Sequence, residues 1–285
     1  MLFAIILLVL LVFFFILFQV TLKGFKNPQR KHTKTPKSIG LEFEEINIST
    51  ANNCNLYGWL MVKNPASSTI ILVHGWGRNV ERMMPYIKPL NKTDFNLLAF
   101  DARHHGNSDE DDHSNMKKFA EDIIASINFI VNKTRISNPD FGVVGLSIGG
   151  AASIYVAAHD ERIKSVITVG ALANPYNIMR EQLASRHIPY IPFGWFLFWY
   201  LEKKVGFSFK EIAPENHIHK SDAKFLLIHG TDDVTIPVDH LYRLKNAGKS
   251  EYVSISEIPG RGHSDCHYEV GYWEKISRFL EQTLN

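Results

Sequence analysis

The chain has 285 residues, of which 45% are hydrophobic and 21% charged. That apolar content excludes a disordered chain, and two cysteines, Cys54 and Cys266, exclude a disulfide-rich scaffold or a four-cysteine zinc site. The length fits one large or two small domains. The formal net charge of +2 is an average over unlike parts.

The first 18 residues, Met1 to Phe18, are all apolar, and five of them are Phe. Helical rise over 18–22 residues gives roughly 27–33 Å, the thickness of a bilayer core. Six basic residues follow before any acid: Lys23, Lys26, Arg30, Lys31, Lys34 and Lys37. The remaining body then holds 25 basic and 29 acidic residues, a net of −4. A signal peptide carries a basic n-region and a small-residue cleavage site. Neither is present here, because no Lys or Arg precedes the run and Phe18-Gln19-Val20-Thr21 lacks paired small residues. The reading is an uncleaved single-pass anchor over 1–22, a basic linker over 23–40 and a body over 41–285. The positive-inside rule puts the neck and body in the cytoplasm, with the neck near anionic head groups.

Beyond the neck, strand and helix patterns alternate. Leu41–Ile48 alternates with period two as an edge strand, and Leu56–Val62 reads as its hairpin partner. Thr69–Val73 and Asn96–Phe100 are continuous apolar runs expected of buried parallel strands, with a helix predicted over Arg82–Leu90 between them. Apolar residues at 116, 119, 120, 123, 124, 127, 130 and 131 predict a helix over Met116–Val131. Strands are predicted at Phe141–Val144, Ile163–Val169, Phe225–Ile228 and Tyr252–Ile255. A helix rich in small residues covers Ile148–Ala158, and an amphipathic helix closes the chain over His267–Leu284. This order argues for an α/β fold with a mostly parallel sheet covered on both faces. Residues 174–210 break the alternation. They have no strand pattern, are dense in Phe, Trp and Tyr, and read as a lid inserted between two strands.

The strongest chemical signal is Gly145-Leu146-Ser147-Ile148-Gly149, where a strand ends and a helix begins. A serine on so sharp a turn needs small neighbours, and the turn exposes its hydroxyl beside a helix N-terminus. Serine needs a base, itself oriented by a third group. Downstream, the acids of His229-Gly230-Thr231-Asp232-Asp233 follow one buried strand, and Gly260-Arg261-Gly262-His263 follows the last. The order Ser147, Asp233, His263, each just past a strand, is that of an α/β-hydrolase, and ligands bind such sheets at their carboxyl edge.

From about residue 40 to 285 the chain therefore resembles the α/β-hydrolase superfamily, in particular its lysophospholipase, monoacylglycerol-lipase and serine-aminopeptidase-like branch. The resemblance rests on His74-Gly75-Trp76-Gly77, on Asp101-Ala102-Arg103-His104-His105-Gly106-Asn107-Ser108, on the serine elbow, on Gly230 to Pro237 and on Gly262-His263. It implies a Ser147-His263-Asp233 triad. The pattern Gly-x-x-Asp-x-x-Val/Ile-Pro selects Asp233 over Asp232. It also implies an oxyanion hole from the backbone N–H groups of Trp76 and Ile148. His105 matches the family's structural histidine, while His104 stands where the family has a small residue. Asp101 reads as structural, the acids 109–112 as a solvated loop, and both cysteines as free thiols, Cys266 being only three residues from His263.

The expected function is a membrane-anchored serine hydrolase that cleaves an acyl ester through an acyl-enzyme, with a small-molecule acyl substrate, a lipid among the candidates. The alternatives are an amidase or peptidase using the same triad and a non-catalytic tethered scaffold. No dinucleotide fingerprint, phosphate loop, metal set or other cofactor site is read from the sequence. A basic neck on an acidic body argues against nucleic-acid binding.

Overall fold

A computed structural model of the chain describes residues 2–24 and 29–284, with backbone only at positions 3, 4, 7, 10, 11 and 21–24. Its centre is an eight-stranded sheet: β1 (Glu44–Ser49), β2 (Asn55–Met61), β3 (Thr69–Val73), β4 (Asn96–Phe100), β5 (Phe141–Leu146), β6 (Ile163–Val169), β7 (Lys224–Gly230) and β8 (Val253–Ile258). The strand order is β1-β2-β4-β3-β5-β6-β7-β8. Only β2 runs against its neighbours, pairing antiparallel with β1 and β4, and the other pairs are parallel.

Burial on both faces explains the unbroken apolar runs. Ile71 and Val73 of β3 point into one core with Leu98, Val143 and Leu227, whereas Ile70 and Leu72 enter the other with Leu97, Val144 and Ile228. The first core is covered by α3 (Met116–Lys133), α4 (Ile148–Ala157) and α7 (Asp239–Ala247), through Phe119, Ile123, Ile154, Leu241 and Leu244. The second is covered by α2 (Met84–Leu90) and α8 (Tyr272–Leu284), through Ile87, Ile276 and Leu280. Residues i and i+1 of a strand face opposite sides, so a strand with helices on both sides has no polar face to show.

Several boundaries differ from the sequence reading. The helix expected over Arg82–Leu90 is a 3₁₀ turn, Val80–Met83, followed by α2, whose Pro85 restarts the chain as a helix N-terminus. The closing helix begins at Tyr272 rather than His267, because Gly271 takes φ 74° and separates it from a short turn at Cys266–Tyr268. The helix α7 escaped the sequence reading. Only His240, Leu241 and Leu244 of its nine residues are buried, too short a stripe to stand out. In the acidic loop Asp109, Glu110 and Asp112 are exposed as expected, and Asp111 is half-buried. Asp111 pairs with Lys118 at 2.8 Å and with Arg103 at 3.5 Å, and Asp109 accepts the Asn55 amide at 2.7 Å.

The insertion between β6 and β7 folds as α5 (Pro175–Ser185) and α6 (Trp195–Val205) around a small core of Leu183, Phe193, Leu197, Phe198, Leu201 and Phe209. Its base is tied to α7. His240 Nδ1 accepts the Ala173 amide at 2.9 Å, so the Nε2–H is the one that faces Glu181 at 3.2 Å. At the chain's start, α1 (Leu2–Gly24) is a 23-residue helix, and its Phe14, Leu17 and Phe18 pack on the insertion's core. Lys26 of the basic neck lies outside the described residues, as does the side chain of Lys23. Among the described residues, no helix is long and apolar enough to cross a membrane.

Candidate active site

The residues singled out from the sequence follow the carboxyl ends of β3, β5, β7 and β8. Ser147 joins β5 to α4 with φ 54° and ψ −121°, a backbone state costing about 1–3 kcal/mol for a non-glycine residue. The neighbouring glycines are required by contact. A Cβ on Gly145 would lie 2.6 Å from the Gly149 carbonyl oxygen, and one on Gly149 would lie 2.5 Å from that of His74. The elbow is thus wedged between its own helix and the loop after β3. The Ser147 amide donates to the Val169 carbonyl at 2.9 Å, which ties the elbow to the end of β6.

The residue after β6, Gly170, has φ 62°, and a Cβ placed there would lie 3.0 Å from His263 Nδ1 and 3.3 Å from Asp233 Oδ2. One step of chain therefore links the serine turn to the histidine–aspartate pair. His263 Nδ1 lies 2.6 Å from Asp233 Oδ2. The other carboxylate oxygen accepts the amides of Thr235 and Ile236, both at 2.9 Å. A second histidine flanks the acid: His229 Nε2 is 3.4 Å from Oδ2 and 2.8 Å from the Ile236 carbonyl oxygen. Burial by itself raises the Asp233 carboxyl. The hydrogen bonds from His229, His263 and the Ile236 amide outweigh it and hold the group well below the usual carboxylate range. Asp232 is exposed, and among the described residues its side chain accepts from the Thr231 hydroxyl alone, at 2.9 Å.

Two amides close to Ser147 in the chain or in space lack an acceptor among the described residues. Ile148 opens α4, so its N–H is one of the four a helix leaves unpaired, and the Trp76 amide has no acceptor among the described residues. The Trp76 loop lies against the elbow, the Cβ position of Gly75 being 3.2 Å from Ser147 Cβ. Two buried histidines brace it. The Ala102 amide donates to His74 Nε2 at 3.0 Å, so the proton is on Nδ1, which donates to the Gly75 carbonyl at 2.8 Å. That carbonyl belongs to the peptide whose nitrogen is Trp76 N. His105 repeats the device, accepting the Gly77 amide at 3.2 Å and donating from Nδ1 to the Arg103 carbonyl at 2.9 Å. His105 is thus a scaffold residue, and the left-handed φ of 64° at His104 accounts for a small residue being favoured there. Asp101 accepts the amides of Val80 at 2.5 Å and Asn107 at 2.8 Å. Cys54 and Cys266 are both free and buried, and the Cys266 thiol, pushed up to about 11 first by burial, lies 3.6 Å from the Gly262 carbonyl oxygen.

Burial lowers His105 to about 4, so it folds neutral. A histidine whose folded value lies below its unfolded value of about 6.5 contributes stability that is present above pH ~6.5 and is lost as pH falls through the folded value. The difference in thermal unfolding midpoint between wild type and His105→Asn should therefore narrow between pH 7.5 and 4.5. A constant difference would mean that His105 does not fold in its neutral form.

Sequence reasoning gave His229 and Gly170 no part in the site. His229 precedes the acid by four residues at a strand end, and Gly170 directly follows the apolar run of β6, so position alone could have flagged both.

The mostly parallel sheet, the strained serine turn and the aspartate–histidine pair at its carboxyl edge define an α/β hydrolase, and the chain belongs to that superfamily. Residues 68–207 match the family described as alpha/beta hydrolase fold. The chain is 24% identical over 255 residues to the Saccharomyces cerevisiae protein named "uncharacterized membrane protein YNL320W", covering 88% of this chain and 84% of that one. The Pyrococcus furiosus esterase Pf2001 shares the fold with a TM-score of 0.71 at 22% identity, covering 91% of this chain and 97% of that one. A puromycin-hydrolyzing peptidase of Mycobacterium tuberculosis has a TM-score of 0.67 at 13% identity, covering 86% of this chain and 40% of that one.

Proposed function

We propose that the protein is a serine hydrolase that cleaves an acyl ester through an acyl-enzyme, held at a membrane by its first 22 residues. The observation that carries the chemistry is the 2.6 Å His263–Asp233 pair, tied through Gly170 and Val169 to the turn that bears Ser147. With Asp233 accepting from Nδ1–H, the His263 Nε2 lone pair is free to act as a base. Ser147 Oγ attacks the acyl carbon and gives its proton to Nε2. The negative charge that develops on the carbonyl oxygen is met by the N–H groups of Trp76 and Ile148, each such donor being worth about 2.7–4 kcal/mol. Collapse breaks the ester C–O bond, and the imidazolium returns its proton to the departing alkoxide. Water, deprotonated in turn by His263, attacks the acyl-enzyme and releases the acid with Ser147 restored.

An esterase and a peptidase both stand among the structural relatives, so ester and amide are the two bonds to compare, and the insertion 174–210 is proposed as the lid. The test is a panel of p-nitrophenyl esters against aminoacyl-nitroanilides, with kcat/KM for the esters expected to exceed that for the anilides. The reverse order would make the protein an amidase of the serine-aminopeptidase type. Anchorage is supported by the 18 apolar residues, the basic neck and the name of the yeast relative, with neck and body on the cytoplasmic side. The full chain should float with vesicles and resist extraction by alkaline carbonate. Release by carbonate would refute the anchor.

A further inference from the structure

The insertion carries an apolar face that its own core does not use. Ile191 is 77% exposed, Trp195 58%, Phe196 47% and Trp199 48%. Large aromatic side chains grouped this way on one element mark a surface that meets something other than water. Their relation to α1 says what that is. Phe14 of α1 stacks on Phe193 at 6.3 Å between ring centres, and Phe18 meets Phe196 at 5.8 Å and Tyr200 at 5.0 Å. Counting back from Lys23, the first charged residue, the helical rise puts Phe18 about 8 Å and Phe14 about 14 Å along α1 toward its apolar end.

We infer that the N-terminal half of α6 lies in the membrane beside α1, with Trp195 and Trp199 at the boundary between head groups and acyl chains. This inference rests on the proposed anchor. If Lys23 sits among the head groups, whatever touches Phe14 and Phe18 is below them, at the depth where interfacial helices bury an apolar face. The character of α6 agrees along its length: aromatic at Trp195–Tyr200, then basic and exposed at Lys203 and Lys204 in its last turn. Tryptophan favours the interface, and lysine near a leaflet finds anionic lipid. The insertion is thus a second, monotopic contact with the bilayer.

Tryptophan emission tests this, because α1 contains no Trp and anchorage alone brings none into the bilayer. The full chain is placed in vesicles of phosphatidylcholine brominated on its acyl chains, alongside a Trp195→Phe/Trp199→Phe variant whose thermal unfolding midpoint is checked against wild type. The single variants serve as a second set should the double one fold poorly. Bromine should quench the wild type, and the double variant should lose that quenching by about threefold or more. Flotation without quenching would overturn the inference and leave the anchor standing. Quenching that persists in the variants would assign it to the body and overturn the inference too. A protein that does not float refutes the anchor and the inference together. Crosslinking of one copy to another through α6, in place of quenching, would show that a second chain covers this face, which also overturns it.

Discussion

Replacing Ser147 with alanine should lower kcat for a p-nitrophenyl ester by about 10⁶-fold and leave KM within a small factor. The hydroxyl is the atom that bonds to the acyl carbon, so its loss removes the acyl-enzyme and with it the two-step path. The amides of Trp76 and Ile148 are untouched, so a residual rate over water, about 10³–10⁴, survives. Alanine keeps the Cβ that Ser147 already carries at φ 54° and removes only Oγ, so the variant is expected to retain the elbow. Steady-state kinetics with unfolding midpoints as a control would check this. A loss confined to KM would mean that Ser147 only binds substrate.

The second large effect separates two adjacent acids. Asp233→Asn should reduce kcat by about 10⁴-fold, roughly 5.5 kcal/mol, whereas Asp232→Asn should stay near wild type. Asp233 is buried and takes the Nδ1 side of His263 at 2.6 Å, while Asp232 is exposed and contacts neither catalytic partner. An amide at 233 can present N–H to the imidazole, turning the ring to the tautomer that cannot accept a proton from serine. Its hydrogen bonds hold the Asp233 carboxyl well below the ordinary carboxylate range, so the carboxylate is the form that orients His263. Steady-state kinetics of both variants would check it. Equal losses at 232 and 233 would contradict the assignment.

Much of this was legible in the sequence because its signals are local. A glycine, a serine and a glycine spaced across a strand end announce the elbow, and continuous apolar runs announce strands buried on both faces. Asp233 and His263 each follow such a run, so their meeting at one edge follows from a parallel sheet. What escaped depends on neighbours distant in sequence. Gly170 matters because β6 lies between β5 and β7, and that order appears only when the sheet is assembled. His229 turns toward Asp233 through the shape of one tight loop. The packing of Phe14 and Phe18 on Phe193, Phe196 and Tyr200 joins parts of the chain that no periodicity relates. Single residues moved the helix boundaries, Pro85 opening α2 and Gly271 delaying α8.

The central claim is that Ser147 is a nucleophile activated by His263. Treating the purified full chain with a fluorophosphonate and mapping the adduct by tandem mass spectrometry asks this of the atom itself. The adduct should fall on the peptide carrying Ser147, be missing from Ser147→Ala and form far more slowly in His263→Ala. An adduct at another residue, or equal labelling of wild type and Ser147→Ala, would contradict it.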